Sequence, residues 1–182
     1  MVGRISASPA VLAFVLAIGI AGNIARADGF VNNWDKPFVY QCPGRQTLSS
    51  IYSIHNNYYE DRRFKFGCRT GPHDVISTTC KWSEQRTYSD QPVNFMCSAD
   101  WAITGVDSYH TNINEDRRFK FKCCKLESYK TTGCEMTSFL NALDGEMDYS
   151  VPEGRVLVGW FSEHDDKTED RRHKMLTCSL RL

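Results

Sequence analysis

The sequence predicts an all-β fold: a single disulfide-rich domain of three pseudo-equivalent strand-loop-strand repeats, arranged like a trefoil or a prism. The first observation is the motif S-x-H-x4-E-D-R-R-(F/H)-K, whose aligned copies occupy residues 42–65, 97–120 and 151–174. Self-similarity at so long a period indicates a repeat architecture. The second observation is eight cysteines. The third is that short segments rich in β-branched and aromatic residues alternate with turn-forming stretches.

The first 27 residues are expected to be a signal peptide. Arg4 provides a positive start, residues 11–21 an apolar core, and Ala25-Arg26-Ala27 a small-x-small cleavage site. This apolar run is shorter than the roughly 20 residues of a membrane-spanning helix. We therefore expect no transmembrane segment and a secreted domain over residues 28–182, with repeat units 42–68, 97–124 and 151–178.

Each repeat is predicted to contain two strands joined by a polar loop. Residues 28–40 are aromatic and polar, and Pro37 prevents a long helix there, so we expect a lead-in strand. The first strands of the repeats are predicted over 47–54, 102–109 and 156–163, and the second over 63–68, 118–123 and 172–178. Residues 134–143 are the one stretch compatible with a short helix.

The first strands share a pattern of apolar and small residues. The predicted core positions are Leu48, Ile103, Leu157, Ile51, Val106 and Trp160. Between them each strand has one small residue, which indicates a bulge or a close approach of backbone. These small residues are Ser50, Gly105 and Gly159.

All eight cysteines follow residue 27, and an even count in a secreted chain predicts four disulfides. The repeat spacing favours a bridge inside each of the first two units, Cys42 with Cys68 and Cys97 with Cys123. No C-x2-C pair is present, so we predict no zinc site on the cysteines.

The three Arg-Arg pairs and three histidines of the motif are the candidate ligand-binding residues. The arginines could bind sulfated glycans or acidic protein segments, although a structural role within the repeat is the competing interpretation. Adjacent strand residues face opposite sides, so one Arg of each pair could be structural and the other exposed. The histidines could line sugar pockets, or donate to backbone inside a turn. The candidates are Arg62, Arg63, Arg117, Arg118, Arg171, Arg172, His55, His110 and His164.

We predict no enzymatic activity, no cofactor and no metal. Ser, His and Asp recur in every repeat, but a catalytic triad needs one preorganised pocket with an oxyanion hole rather than three copies on a scaffold. The full chain carries a formal net charge of zero. Global electrostatics therefore does not favour nucleic acid as a partner.

Residues 40–44 (Tyr-Gln-Cys-Pro-Gly), 61–66 (Asp-Arg-Arg-Phe-Lys-Phe) and 116–124 (Asp-Arg-Arg-Phe-Lys-Phe-Lys-Cys-Cys) resemble the dermatopontin family. That family repeats an Asp-Arg-x-Trp-x-Phe motif three times and has a Cys-Cys pair after the second copy. Phe64, Phe119 and His173 stand here at the motif tryptophan. The resemblance covers nearly all of residues 28–182.

The resemblance implies a disulfide pairing that differs in part from the one the repeats favour. It pairs Cys42 with Cys68, Cys80 with Cys123, Cys97 with Cys124 and Cys134 with Cys178, and we adopt it as the expectation.

The resemblance also implies a secreted extracellular-matrix and adhesion protein. Its expected partners are collagen or another matrix protein, proteoglycan or sulfated glycan, and the cell surface, with self-association as a further expectation and shell or skeletal matrix as one setting. The alternative implied by the same resemblance is a secreted haemagglutinin or cytotoxin acting on cell surfaces.

Overall fold

The computed structural model describes residues 29–182, and the predicted signal peptide lies outside the described residues. The described chain is all-β apart from one 3-10 turn, Pro72–Asp74. Within this part of the chain no helix is long and apolar enough to cross a membrane. The strands are β1 Phe38–Gln41, β2 Gln46–Asn56, β3 Asp61–Thr70, β4 Ile76–Trp82, β5 Val93–Met96, β6 Trp101–Thr111, β7 Asp116–Leu126, β8 Lys130–Met136, β9 Met147–Ser150, β10 Arg155–Asp165 and β11 Asp170–Arg181.

Each predicted repeat forms a long antiparallel hairpin, namely β2–β3, β6–β7 and β10–β11. The predicted strands of the repeats all fall within these hairpins. The lead-in strand expected over residues 28–40 is shorter than predicted, because within the described residues only 38–40 of that stretch belong to a strand, β1. Over residues 29–182 each hairpin belongs to one of three sheets, with strand orders β1-β6-β7-β4, β5-β10-β11-β8 and β3-β2-β9. The hairpins β6–β7 and β10–β11 are the inner pairs of their sheets, whereas β3 is an edge strand.

The short strand before each hairpin pairs with a different hairpin. Strand β1 pairs with β6 of the second unit, β5 with β10 of the third, and β9 with β2 of the first. The three units are therefore linked in a closed cycle, and each completes the sheet of another.

The predicted irregularity in the first strand is confirmed in every hairpin. The pairing register shifts between Leu48 and Ser50 in the first unit, and at the equivalent places in the other two. A Cβ atom on Gly105 would lie 2.8 Å from the backbone oxygen of Tyr40, and one on Gly159 would lie 3.1 Å from that of Phe95. The absence of a side chain at these glycines allows β1 to pack closely against β6 and β5 against β10.

The predicted core positions are all confirmed as fully buried. They belong to a central apolar cluster to which every unit contributes, and whose largest side chains are Trp160, Phe64, Phe119 and Phe121. A second cluster lies between β4, β6, β7, β10 and β11, and contains Val75, Ile76, Ala102, Leu126, Val156 and Val158.

Two of the four disulfides differ from the pairing expected from the resemblance. Cys42–Cys68 and Cys134–Cys178 are confirmed. The other two expected bridges, Cys80–Cys123 and Cys97–Cys124, are wrong, because the structure forms Cys97–Cys123 and Cys80–Cys124.

The faces of strand β7 explain this exchange. Adjacent residues point to opposite sides of a strand, so Cys123 reaches the central cluster, which contains Cys97, whereas Cys124 lies in the second cluster against Cys80. The intra-unit bridge that the repeat spacing favours is therefore the correct one.

The helix-compatible stretch 134–143 contains no helix. It begins in β8 and continues as an irregular segment along β11. Its backbone N–H groups at Thr137 and Leu140 donate to the carbonyls of Met175 and His173. Pairing with a neighbouring strand satisfies the donors that a helix would have used internally.

Candidate functional site

The motif Asp and the first Arg of each repeat form a buried ring of ion pairs that joins all three units. Arg62 donates to Asp170 through two N–H groups at 2.6 and 2.7 Å. The same two-pronged geometry joins Arg117 to Asp61 and Arg171 to Asp116, with distances of 2.6–2.8 Å. We call these six residues the central ring.

The central ring is desolvated and its carboxylates are heavily hydrogen-bonded. None of the six residues is more than 4% exposed. Asp116, for example, also accepts from the backbone N–H groups of Arg117 and Asp90. Charges buried in this way need a bonded partner, so the side chains of Arg62, Arg117 and Arg171 hold the units together and are not exposed to a ligand.

The second Arg of each motif points the other way and is partly exposed. Arg63 donates from Nε to the backbone oxygen of Asn32, and Arg118 donates in the same way to Thr87. Arg172 is 3.4 Å from a carboxylate oxygen of Glu163 at the surface. The expectation that one Arg of each pair is structural and the other exposed agrees with this difference in burial, and ligand binding by the outer arginines stays a prediction.

Aromatic rings lie beneath these outer arginines. The guanidinium of Arg63 is 4.1 Å from the ring centre of Phe30, and that of Arg172 is 4.1 Å from Phe139. Arg118 lies over Tyr109 and also bonds to its hydroxyl. Such cation–π contacts hold the charged groups at fixed positions on the surface.

A lysine follows each outer arginine two residues along the strand and so lies on the same face. Lys65 lies 4.4 Å from the ring centre of Phe30, and Lys174 lies 4.0 Å from that of Phe139. We call these groups the outer clusters: Arg63, Lys65 and Phe30; Arg118, Lys120 and Tyr109; Arg172, Lys174 and Phe139.

The third outer cluster borders a surface cavity of about 170 Å³. Phe139 and Lys174 line the cavity together with apolar side chains from three other strands, and Glu163 lies at its edge. Those apolar residues are Val93, Met136 and Phe161.

The three motif histidines have almost no exposed side-chain surface. Each lies at the end of a hairpin beside carboxylates contributed by other segments. His55 is 3.3 Å from Asp144, and His110 is 3.7 Å from Asp35. The predicted sugar-pocket role would therefore require these side chains to become accessible.

Two of the three motif serines hydrogen-bond to the central ring, and Ser108 Oγ is buried without a partner. Within residues 29–182 no hydrogen bond joins a motif serine to a motif histidine. Ser53 accepts a hydrogen bond from Arg62, and Ser162 accepts one from Arg171. The Ser, His and Asp of each repeat are thus not arranged as a nucleophile, a base and an orienting group.

The motif glutamates adopt the left-handed backbone conformation, with φ of 45°, 42° and 45° at Glu60, Glu115 and Glu169. Desolvation raises the pKa of the Glu115 and Glu169 carboxyls. The nearby histidine opposes this rise in each case, and the charge of Glu60 adds to it.

These glutamates line a central cavity of about 20 Å³, which is enough for one or two water molecules. The Arg and Asp side chains of the central ring also line it, together with Phe64, Phe119 and His173.

His173 is the polar member of this aromatic group. Its Nδ1 accepts a hydrogen bond from the indole N–H of Trp160, while its Nε2 is buried without a partner. Desolvation holds the pKa of His173 well below its usual range, and the charges of Arg62 and Arg171 lower it further.

Several residues of the site carry no signal in the repeat motif. Asn32 and Asn141 each bond through their side chains to the backbone on both sides of a motif Arg, and so fix the preceding segment to its hairpin. Phe30 and Phe139 lie outside the aligned copies, as does Asp90. Their separation from the motif in the chain explains why sequence reasoning missed them.

Fold and site together define a class of protein: an all-β, disulfide-bridged domain whose repeats are joined by a buried ring of ion pairs and each carry an outer basic–aromatic cluster. The chain belongs to the dermatopontin family, whose model matches residues 32–182.

Characterised relatives extend over most of the chain. It is 38% identical to the hemagglutinin/amebocyte aggregation factor of Limulus polyphemus, with 91% of this chain and 96% of that protein covered. It is 36% identical to Millepora cytotoxin-1 of Millepora dichotoma, covering 88% and 71% respectively. Identity to a dermatopontin of Biomphalaria glabrata is 37%, covering 82% and 99%. No solved structure matches the chain significantly.

Proposed function

We propose that the protein is a secreted, non-enzymatic adhesion protein of the extracellular matrix that binds sulfated glycans multivalently. The observation that carries this proposal is the set of three outer clusters, one on each hairpin. The four disulfides are compatible with an oxidising extracellular compartment. Proteoglycan glycans on matrix or cell surfaces are the proposed partners, with collagen as a further matrix partner and no nucleic acid.

The chemistry of an outer cluster suits a sulfated sugar. Arginine can bond two oxygens of a sulfate at once, and the neighbouring lysine adds a second cation. In the second and third clusters the partly exposed rings of Tyr109 and Phe139 add apolar surface for the face of a sugar ring. In the first cluster Phe30 is only 8% exposed and serves to hold Arg63 and Lys65 in place. In the third cluster the adjoining cavity adds space for a longer oligosaccharide.

Multivalency supplies the mechanism of adhesion. We propose that three pseudo-equivalent units in a prism-like domain, residues 28–182, present one weak site each. Several weak sites on a rigid body bind a surface or crosslink two surfaces far more tightly than one site does alone. The relative from Limulus, named as a hemagglutinin and aggregation factor, is the kind of protein this mechanism would produce.

A cytotoxin is the second candidate, and exposed apolar side chains favour it. Tyr58 and Ile113 occupy equivalent hairpin tips and are 86% and 97% exposed. Such side chains can contact a membrane surface. The relative from Millepora is named a cytotoxin.

An erythrocyte assay separates the two candidates. Agglutination that heparin inhibits and a neutral polysaccharide does not is the result expected from sulfated-glycan binding. Release of haemoglobin would instead favour the cytotoxin. If correctly folded protein neither agglutinates nor binds heparin, the proposal of sulfated-glycan binding is wrong.

A triple variant tests the outer clusters. Replacing Lys65, Lys120 and Lys174 by Gln removes three charges and leaves in place the hydrogen bonds of Arg63 and Arg118 to the backbone and of Arg172 to Glu163. The matched control replaces the exposed lysines Lys36, Lys125 and Lys167 by Gln, with the same change in net charge. We expect heparin binding to fall at least tenfold in the first variant and less than twofold in the control.

A further inference from the structure

The first hairpin lacks a strand that the other two hairpins possess. Strand β4 pairs with the outer side of β7, and β8 pairs with the outer side of β11. Within residues 29–182 no strand lies on the outer side of β3. The disulfides Cys80–Cys124 and Cys134–Cys178 tie β4 and β8 to their hairpins. Arg69 stands at the position in β3 that is equivalent to Cys124 and Cys178.

The order of segments along the chain explains the missing strand. Strands β4 and β8 each come directly before a segment that covers the first half of the second strand of a hairpin. The N–H groups of Thr87 and Leu140 bond to β7 and β11 from these segments, and Val31 bonds to β3 in the same way. A strand equivalent to β4 and β8 would therefore precede Val31, where the chain is the predicted signal peptide.

Backbone groups of β3 point outward at this open edge. The N–H and the carbonyl of Phe64 bond on the outer side, to Asn32 and Val31. Alternate residues of a strand direct their backbone groups to the same side, so Phe66 and Cys68 also direct theirs outward. Such a row of backbone donors and acceptors is a template for an added strand.

The open edge also leaves part of the central apolar cluster less covered. The carbonyl of Phe66 accepts from the hydroxyl of Tyr40 at 3.2 Å, whereas the equivalent carbonyl of Phe121 accepts from a backbone N–H. The side chains of Phe66 and Cys68 are half-buried, whereas those of the equivalent Phe121 and Cys123 are 1% and 4% exposed. An added strand would therefore cover apolar surface as well as pair with backbone.

The two faces of the edge differ in chemistry. Phe66 and Cys68 pack on the central apolar cluster. Lys65 and Arg69 lie on the opposite, outer face and are partly exposed, with Gly67 between them. An added strand would place alternate residues beside the apolar pair and the intervening residues beside the two cations. Alternating apolar and acidic residues fit these two faces.

The third hairpin contains a precedent for the acidic residues. Strand β8 places a carboxylate oxygen of Glu135 3.4 Å from a guanidinium nitrogen of Arg155 in β10. An acidic residue on the added strand is therefore compatible with the way this fold uses its fourth strands.

We propose that residues 66–70 of β3 bind an extended acidic segment of a partner protein as an additional antiparallel strand. Backbone hydrogen bonds would provide the affinity, and the alternation of apolar and acidic side chains would provide the specificity. A second copy of this chain is a poorer occupant, because pairing two β3 edges brings Lys65 and Arg69 of both copies together. Apart from Lys65, the site is separate from the outer clusters.

The test is an NMR titration of the ¹⁵N-labelled secreted chain with the capped peptide Val-Glu-Val-Thr-Val-Glu. Paired antiparallel with residues 65–70, this peptide places its glutamates beside Arg69 and Lys65. We expect saturable binding that slows hydrogen exchange at the amides of Phe66 and Cys68. The equivalent amides of Phe121 and Cys123 are the internal control and should not change, since β4 and the segment after it already cover that edge.

Two modified peptides test the backbone pairing. N-methylation of the third and fifth residues, whose N–H groups would face β3, should weaken binding at least about tenfold. N-methylation of the second and fourth residues, whose N–H groups would point away, is the matched control and should leave binding unchanged. A peptide with lysine in place of both glutamates should bind at least about fivefold more weakly.

Single lysine variants locate the site on the protein. Lys65→Gln should weaken peptide binding about two- to fivefold. Lys120→Gln and Lys174→Gln, the equivalent changes beside covered edges, should leave it unchanged. Equal weakening by all three variants, or equal effects of the two N-methylated peptides, would overturn the proposal. So would protection of Phe66 and Cys68 without peptide, whether by a second copy or by residues before 28. Heparin binding is measured separately, so failure here does not decide the proposed glycan binding.

Discussion

Arg62 and Asp170 are 108 residues apart in the chain and form a buried ion pair whose two hydrogen bonds measure 2.6 and 2.7 Å. The pair joins the first unit to the last. The other two pairs of the central ring join the remaining units in the same way. In every unit the Arg therefore pairs with the Asp of one neighbouring unit, and the Asp pairs with the Arg of the other.

Removing one partner of this pair should destabilise the whole domain. Arg62→Ala leaves the Asp170 carboxylate buried without its counter-charge, which should lower the free energy of unfolding by about 3–5 kcal/mol. Urea denaturation with the disulfides intact measures the effect. Arg181→Ala, at the exposed end of β11, is the control and should change stability by about 0.5 kcal/mol at most. A loss of similar size in both variants would contradict the structural role of the ring.

Replacing one cysteine of a disulfide by serine should leave its partner cysteine as a free thiol. Cys97→Ser should leave Cys123 free, and Cys80→Ser should leave Cys124 free, since these are their partners in the structure. Alkylation of the folded variants after mild denaturation, followed by fragment mass spectrometry, distinguishes the two adjacent positions. Labelling of Cys124 in the Cys97→Ser variant would instead support the Cys97–Cys124 pairing implied by the family resemblance.

Acidification should destabilise the protein through His173. Its pKa in the folded state lies well below 6.5, the ordinary value. Below pH 6.5 the unfolded chain therefore binds a proton that the folded chain does not, and stability falls as pH falls, by up to about 1.4 kcal/mol per pH unit.

His173→Phe should abolish this part of the pH dependence. Loss of the bond to Trp160 adds an offset that is the same at every pH. Urea denaturation at pH 5, 6 and 7 should therefore show a difference between wild type and variant that changes with pH. A constant difference would mean that His173 is protonated equally in the folded and unfolded states.

Glu60→Asn should stabilise the domain. Asn adopts the left-handed conformation more readily than Glu, and the substitution also removes a charge that raises the pKa of Glu115 and Glu169. We expect a gain of about 1 kcal/mol in the free energy of unfolding. Glu84→Asn, at an exposed site with an ordinary backbone, should change little. Destabilisation by Glu60→Asn would show that the glutamate side chain contributes more than its strain costs.

Neutralising one outer cluster should separate affinity from avidity. With Arg172→Gln and Lys174→Gln, titration by a short sulfated oligosaccharide should give two sites per chain where the wild type gives three. Retention on a heparin-coated surface should fall at least tenfold, because simultaneous contacts multiply. Unchanged stoichiometry would contradict a ligand site at the third cluster.

The sequence was sufficient for the features that depend on local pattern. Alternation and repeat spacing predicted the hairpins, the bulge before Ser50 and the buried Trp160, because side-chain direction in a strand follows position. That one Arg of each pair faces inward and the other outward also follows from that alternation. Which Arg faces inward does not, since it depends on which face of the hairpin meets the other units.

Features that depend on long-range pairing could not be predicted from the local sequence pattern. Nothing in the local sequence of β1 indicates that it pairs with β6 instead of β2. The choice between Cys123 and Cys124 likewise depends on which cluster each face of β7 meets. Residues 134–143 have local helix propensity, but edge pairing with β11 overrides it.

The pairing of each short strand, β1, β5 and β9, with the hairpin of another unit has a consequence for biosynthesis. During synthesis β2 and β3 emerge early, yet β9, the third strand of their sheet, emerges only after the second hairpin has been made. Long-range pairings of this kind form slowly. A chain terminated after the second unit would expose the edge of β2 and leave Arg62 without Asp170. The domain should therefore mature only after translation is complete, and prematurely terminated chains should be retained as unfolded material.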